Sequence, residues 1–262
     1  MKRYVRVYLT LIRLNAESLI IYPANLYNSL IAAIVWGFFS LYSIILLTSQ
    51  TRGAFGWTRE ELLLLNGIYG IIIGIFHTLF SQNFERFSSV IHQGQLDNVL
   101  IKPIDSQFIL SFWMFRWVGL SRILIALGYV IILFQSLALK ITYLDISLFS
   151  LLSLLGILLL YSIWYMIITL TIWFTRLANL VELMFNITGI ARFPRTMLAQ
   201  SVGYAFWFLF PLLLIINIPT KVILHRLDIA EVFSLIILAV LLFLGSRVFW
   251  RFALRYYSSA SS

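Results

Sequence analysis

The chain has 262 residues, of which 61% are hydrophobic and 11% charged, and its mean hydropathy is +0.97. A soluble domain averages roughly 45–50% apolar and about 25% charged residues, so the polar side chains here are too few to cover a water-facing surface. One bilayer crossing takes about 20 apolar residues, which leaves room for about six to eight helical crossings and none for a separate soluble domain. The formal charge of +9, from 19 Lys and Arg against 10 Asp and Glu, reads as topology and contact with anionic lipid rather than nucleic-acid binding. The absence of cysteine excludes disulfides, thiol catalysis and cysteine-ligated metals. His77, His92 and His225 fall in three different segments, so no zinc or iron site is expected.

In chain order, the first element is an amphipathic helix over residues 1–22. Val5, Leu9, Ile12, Ala16 and Leu19 recur at spacings of four and three, while Arg3, Arg6, Thr10, Arg13 and Glu17 recur on the opposite face, the pattern of a helix lying at a membrane surface. It lacks a small-residue cleavage site, and the apolar run after Pro23 is too long for a signal peptide. Six apolar runs follow, at about 24–48, 61–83, 108–139, 147–174, 197–217 and 231–252. They are continuous rather than alternating, which predicts helices and not a β-barrel. The expected fold is therefore all-α: one polytopic transmembrane domain over 1–262, with six transmembrane helices, an N-terminal interfacial helix and short cytoplasmic coupling helices.

The second span carries Gly67, Gly70 and Gly74 in NGIYGIIIG, small residues that let a neighbouring helix approach closely. His77 continues that face. An ionisable group inside the membrane is a candidate for substrate contact, although a histidine bonded to a neighbouring helix needs no substrate. Trp36, Trp164 and Trp207 also lie near the middle of their spans rather than in the interfacial belts. They serve equally as packing or, with His77, as the wall of a path for an amphipathic substrate.

The connection after the second span, residues 85–105, is polar enough to leave the membrane. Phe87, Val90 and Ile91 share one helical face, with Glu85, Ser88 and His92 elsewhere; Gly94 terminates the helix, and Pro103 blocks its continuation. The connection between the fourth and fifth spans repeats the design, with Leu177, Val181, Met184 and Thr188 on one face before the break at Arg192, Phe193, Pro194 and Arg195. With both termini in the cytoplasm, fourteen of the nineteen Lys and Arg fall inside, Arg86, Arg116, Arg122, Arg192 and Arg195 among them, and Arg52, Arg59, Lys140, Lys221 and Arg226 fall outside.

Catalytic chemistry is hard to find. No G-x-S-x-G, H-E-x-x-H or G-x-x-x-x-G-K-[ST] pattern occurs, and no acidic residue sits in the central part of an apolar run. A self-powered antiporter usually keeps such acids at mid-membrane. What stays open is a transporter subunit powered by another protein, an intramembrane lipid-modifying enzyme, or a membrane scaffold.

The segment GQLDNVLIKPID at 94–105 resembles the glycine, Leu-Asp and Lys-Pro pattern of ABC-2-type transporter permeases, in particular the six-span bacterial group without a fused ATPase. The run RFP at 192–194, followed by Pro211 and IINIPTKVIL, is similar to that group's proline-marked fifth span and outer loop. The resemblance covers nearly the whole chain. It implies a bacterial cytoplasmic-membrane exporter subunit that dimerises with itself or with a sister permease and binds two copies of a separate ABC ATPase. That ATPase would hold ATP and magnesium, leaving this chain without a cofactor of its own and without a nucleic-acid partner. It also implies an ATPase-coupling contact at Glu85, Arg86, Phe87, Val90, Ile91, Gly94, Leu96 and Asp97. The resemblance does not name a cargo, but with little charge inside the spans the path suits an apolar, amphipathic or lipid-linked one.

Overall fold

The computed structural model describes residues 2–21, 23–49, 53–54, 56–137, 140–174, 180–197 and 205–257, and the chain is all-α apart from one two-stranded hairpin. Helix α1 (Lys2–Ile21) is followed by α2 (Pro23–Leu47), the strands β1 (Gly53–Ala54) and β2 (Trp57–Thr58), and then α3 (Arg59–Phe76). A π-helical turn at His77–Ser81 joins α3 without a break to α4 (Gln82–His92). After Gly94 come α5 (Gln95–Leu100), α6 (Ser106–Phe112), α7 (Gly119–Leu137) and α8 (Tyr143–Thr169). The last helices are α9 (Leu180–Thr188), α10 (Ala205–Ile223) and α11 (Ile229–Leu254).

Among the described residues, four helical stretches are long and apolar enough to cross a membrane: Arg59–His92, Gly119–Leu137, Tyr143–Ile172 and Ile229–Leu254. Helices α2 and α10 hold shorter apolar stretches, Leu30–Leu46 and Leu209–Ile223. The third predicted span is not one helix. It is interrupted between Phe112 and Gly119, where Asn83 of α4 satisfies the freed backbone: its amide donates to Met114 O at 2.9 Å and its Oδ1 accepts from Met114 N at 2.8 Å. The second predicted span does not stop at 83. The apolar face continues through Phe84, Phe87 and Ile91, all buried against the chain's own core, so α3 and α4 form one rod of about 50 Å at 1.5 Å per residue.

The helix packing follows from small residues. A Cβ at Gly67, Gly70 or Gly74 would meet Val130 Cγ2 at 2.5 Å, Ala126 Cβ at 2.9 Å or Ile123 Cγ1 at 2.7 Å, so the glycine face of α3 seats α7 directly. On α8, a Cβ at Gly156 would meet the Ile215 carbonyl oxygen at 2.9 Å. That carbonyl is the one whose helical donor is missing, because Pro219 lies four residues on and has no N–H. An aromatic core of Phe76, Phe80, Phe84, Tyr161, Trp164 and Tyr165 joins the α3–α4 rod to α8.

Helix α1 is present, and it rests on the bundle through the side chains of Tyr4, Tyr8 and Asn15 and the backbone of Ile12, while part of the predicted apolar face stays outside. Tyr4 and Tyr8 meet Phe108 and Phe112 edge-on at 5.0 and 5.4 Å, the Ile12 carbonyl accepts from Trp117 Nε1, and the Asn15 amide donates to the Trp113 carbonyl. Val5 and Leu9 stay more than half exposed.

Candidate functional site

One end of the bundle is tied by charge. Thr58 and Glu61 form a capping box at the start of α3, Thr142 and Asp145 form one at the start of α8, and the Asp228 carboxylate accepts from Ala230 N at the start of α11. Glu61 also pairs with Arg226 at 2.8 Å. Glu231, on the first turn of α11, receives both Lys221 and Arg195, each at 2.7 Å. Asn217 of α10 pins the same region, accepting from Arg195 N at 3.1 Å and donating to Phe193 O at 3.2 Å.

This end corrects the topology drawn from charge counting, which put Arg195 inside and Lys221 outside. One carboxylate holds both, so they lie at the same end of the bundle. The physical reason is that residues 180–197 do not form a surface loop under the membrane. Phe185 packs between His77 and Trp164, with ring centroids 4.7 and 4.8 Å away; Thr188 accepts from Trp164 Nε1 at 3.1 Å; and Met184 and Thr188 are buried. The segment climbs along α3 and α8 toward the capped end, closing with a 3-10 turn at Gly189–Arg192. Leu177 lies outside the described residues.

A cavity of about 660 Å³ lies between α2, α3, α7 and this climbing segment. Its apolar side includes Ile34, Trp36 and Phe38 of α2 with Ile73 and Ile125; its polar side includes Asn66, Tyr69, His77, Arg122, Asn186 and Arg192. His77 is stacked on Phe185 with 19° between the ring planes. It sits about 27 Å along the rod from Arg59, at 1.5 Å per residue, at the first position of the π-helical turn, a geometry that recurs at functional sites. Ser40 donates to Asn66 at 2.8 Å. Arg192 lies over the Phe193 ring at 5.2 Å, its Nε buried without a hydrogen-bond partner, and the buried Tyr129 hydroxyl likewise has none. Among the described residues, no carboxylate lines the cavity.

Trp36 and His77, expected along a substrate path, therefore share one cavity wall. Trp164 stands behind it, fully buried and hydrogen-bonded to Thr188, and forms core rather than lining. The side chain of Trp207 lies outside the described residues. Arg122, Arg192 and Asn186 were not read as site residues. The only sequence signal for them was polar character within segments whose other face is apolar, and the charge count assigned the arginines to topology.

A family model described as ABC-2 family transporter protein matches residues 12–261. The chain belongs to the ABC-2 transporter family. Comparison with curated proteins and with solved structures returns no match. As an ABC-2 permease, the chain is a multi-pass membrane transport protein.

In this ABC-2 permease, the elbow at the far end of the α3–α4 rod is where the resemblance implies the ATPase contact. Gly94 makes the bend with φ +67°, a backbone conformation that side-chain-bearing residues rarely adopt. Phe87, Ile91 and Leu96 point into the core, Phe87 against Tyr165 and Trp250 at 6.0 and 5.8 Å, so they support the elbow from within rather than holding it to a membrane. Val90 is half-buried and Asp97 partly covered. The exposed surface comprises Glu85, 3.7 Å from Arg116, and Arg86, 3.4 Å from the Gln95 side chain, together with an apolar tip the sequence reading passed over: Leu100 and Ile101, 40% and 80% exposed.

Proposed function

We propose that this chain is the membrane-spanning permease subunit of an ATP-driven exporter, moving an amphipathic or lipid-linked substrate out of the cytoplasm or the inner leaflet. The observation that carries the reading is the cavity, mostly apolar with two arginines, Arg122 and Arg192, in its lining, set among the helices of a chain that belongs to a transporter family. The volume falls within the range of ligand sites, roughly 300–1,000 Å³. Because the sequence has no phosphate-binding loop, the energy comes from a separate ATPase, two copies serving a pair of permeases, which are either identical or sisters.

In this reading the capped end faces outward, the elbow and both termini face the cytoplasm, and α1 lies at the inner surface. The ATPase seats on Leu100, Ile101 and the flanking Glu85 and Arg86. Motion there passes along the α3–α4 rod, whose interior packing resists bending, to the π-helical turn and His77 at the cavity wall. A second line runs through the break before α7, where Arg116 N donates to Thr78 O at 2.9 Å and Asn83 holds Met114. The ion pairs on Glu231 and Glu61 then act as the outer closure that must part for release.

The test is purification of the tagged chain from its native membranes in mild detergent. An ABC ATPase recovered at one copy per permease, with ATP hydrolysis in the eluate, is the expected result. Recovery of the intact permease with no ATPase under conditions that preserve other transporter complexes would overturn the reading.

A further inference from the structure

The cavity carries more charge than a path for a neutral cargo requires. Arg122 approaches from the first turn of α7 and Arg192 from the 3-10 turn after α9, and both line the cavity together with Tyr69. Neither forms an ion pair among the described residues, whereas Arg195, three residues beyond Arg192, is paired with Glu231 at 2.7 Å. The Arg192 Nε is buried with no hydrogen-bond partner among the described residues, and a guanidinium nitrogen taken out of water without an acceptor is costly. Among the described lining residues no carboxylate supplies that acceptor, while His77, Asn66 and Asn186 add polar atoms that can bond to an anion's oxygens.

Resting on the reading of this cavity as the cargo site, we infer that it binds an anionic amphiphile: an acidic headgroup held by Arg122 and Arg192, with an apolar tail against Ile34, Trp36 and Phe38 of α2. The arginine side fixes the headgroup through charge-assisted, potentially bidentate hydrogen bonds. The α2 side is suited to an alkyl chain, since Trp36 and Phe38 are 62% and 71% exposed and offer ring faces rather than polar atoms. Asn186 and His77 line the same cavity and offer hydrogen-bond partners to a headgroup with hydroxyl or amide groups.

The experiment measures equilibrium binding of radiolabelled dioctanoyl phosphatidate to the purified permease in nanodiscs of zwitterionic lipid, with dioctanoyl phosphatidylcholine and inorganic phosphate as competitors. No ATPase is present, so its outcome is independent of whether an ATPase copurifies. Phosphatidate is expected to bind at least about tenfold more tightly than the zwitterionic lipid with the same tails. Arg122→Gln and Arg192→Gln are each expected to weaken it by on the order of tenfold to a hundredfold, the loss of one hydrogen bond to a charged group, with Arg122→Lys retaining most of the affinity. Asn186→Asp, which adds a carboxylate to the wall without removing a cation, provides the check should an arginine variant fold poorly; it too must weaken phosphatidate and spare the zwitterionic lipid. Equal affinity for the two lipids, unchanged affinity in well-folded variants, or displacement by inorganic phosphate as effective as by phosphatidate would overturn the proposal, the last by showing a simple anion site that makes no use of a tail.

Discussion

Two sets of cations behave differently, and Arg192 and Arg195, three residues apart, fall one in each. At the capped end, Arg195 and Lys221 converge on Glu231, and Arg226 takes Glu61. In the cavity, Arg122 and Arg192 face a wall with no acid among the described residues. The two sets contain the same chemical groups, so the contrast shows what each region is built for. Paired charges hold helix ends together, and removing one partner leaves another stranded. Unpaired charges beside a void contribute little to the fold and are available to a ligand.

The contrast can be broken first at Glu231. Replacement by Gln strands Arg195 and Lys221 together and should lower stability by about 3 kcal/mol, the lower end for a buried pair because the Arg195 side chain is 36% exposed. Thermal unfolding in detergent measures it; an unchanged midpoint would mean the pair contributes no net stability. Next in size is Gly70→Val, which forces the α3–α7 seam apart where a Cβ already meets Ala126 at 2.9 Å and should cost about 2 kcal/mol by overpacking. Loss of binding alone without loss of stability would instead place that glycine face at an interface with another subunit. Glu61→Gln removes one ion pair and weakens a capping box, for about 1 kcal/mol. At the small end, Arg122→Gln should change stability by no more than about 0.5 kcal/mol, the reverse of Glu231→Gln. Ile101→Asp should be equally silent in unfolding while ATPase recovery on purification falls.

Much of this architecture was written in the residues. The apolar runs announced the helices, Gly67, Gly70 and Gly74 announced a close seam, and GQLDNVLIKPID carried the family resemblance that the family model bears out. The break before α7 was hidden because Trp113, Met114, Phe115, Trp117 and Val118, which lie within it, are apolar, and the partner that satisfies its backbone, Asn83, is 31 residues from Met114. The climb of residues 180–197 was hidden for a related reason. Charge counting treats each charged stretch between apolar runs as a loop on one side, and Arg195 betrays its position through Glu231, 36 residues on, and Asn217. With Arg122 and Arg192 assigned to topology, the cations of the cavity could not be seen, and only Trp36 and His77 were read from its lining. The spacing of α4 is that of an amphipathic surface helix, but its apolar side is covered by Tyr165 and Trp250 from distant parts of the chain, which no local pattern reveals.

The most direct test places a photoreactive benzophenone side chain at Asn186, on the cavity wall, or at Leu244, 55% exposed on the last helix, and irradiates native membranes. Lipid adducts at each position are then identified by mass spectrometry against the composition of the whole membrane. A cavity that selects an anionic amphiphile yields adducts at position 186 strongly enriched in acidic headgroups, and adducts at position 244 that follow the bulk lipid. Adducts at both positions mirroring the bulk composition would contradict it.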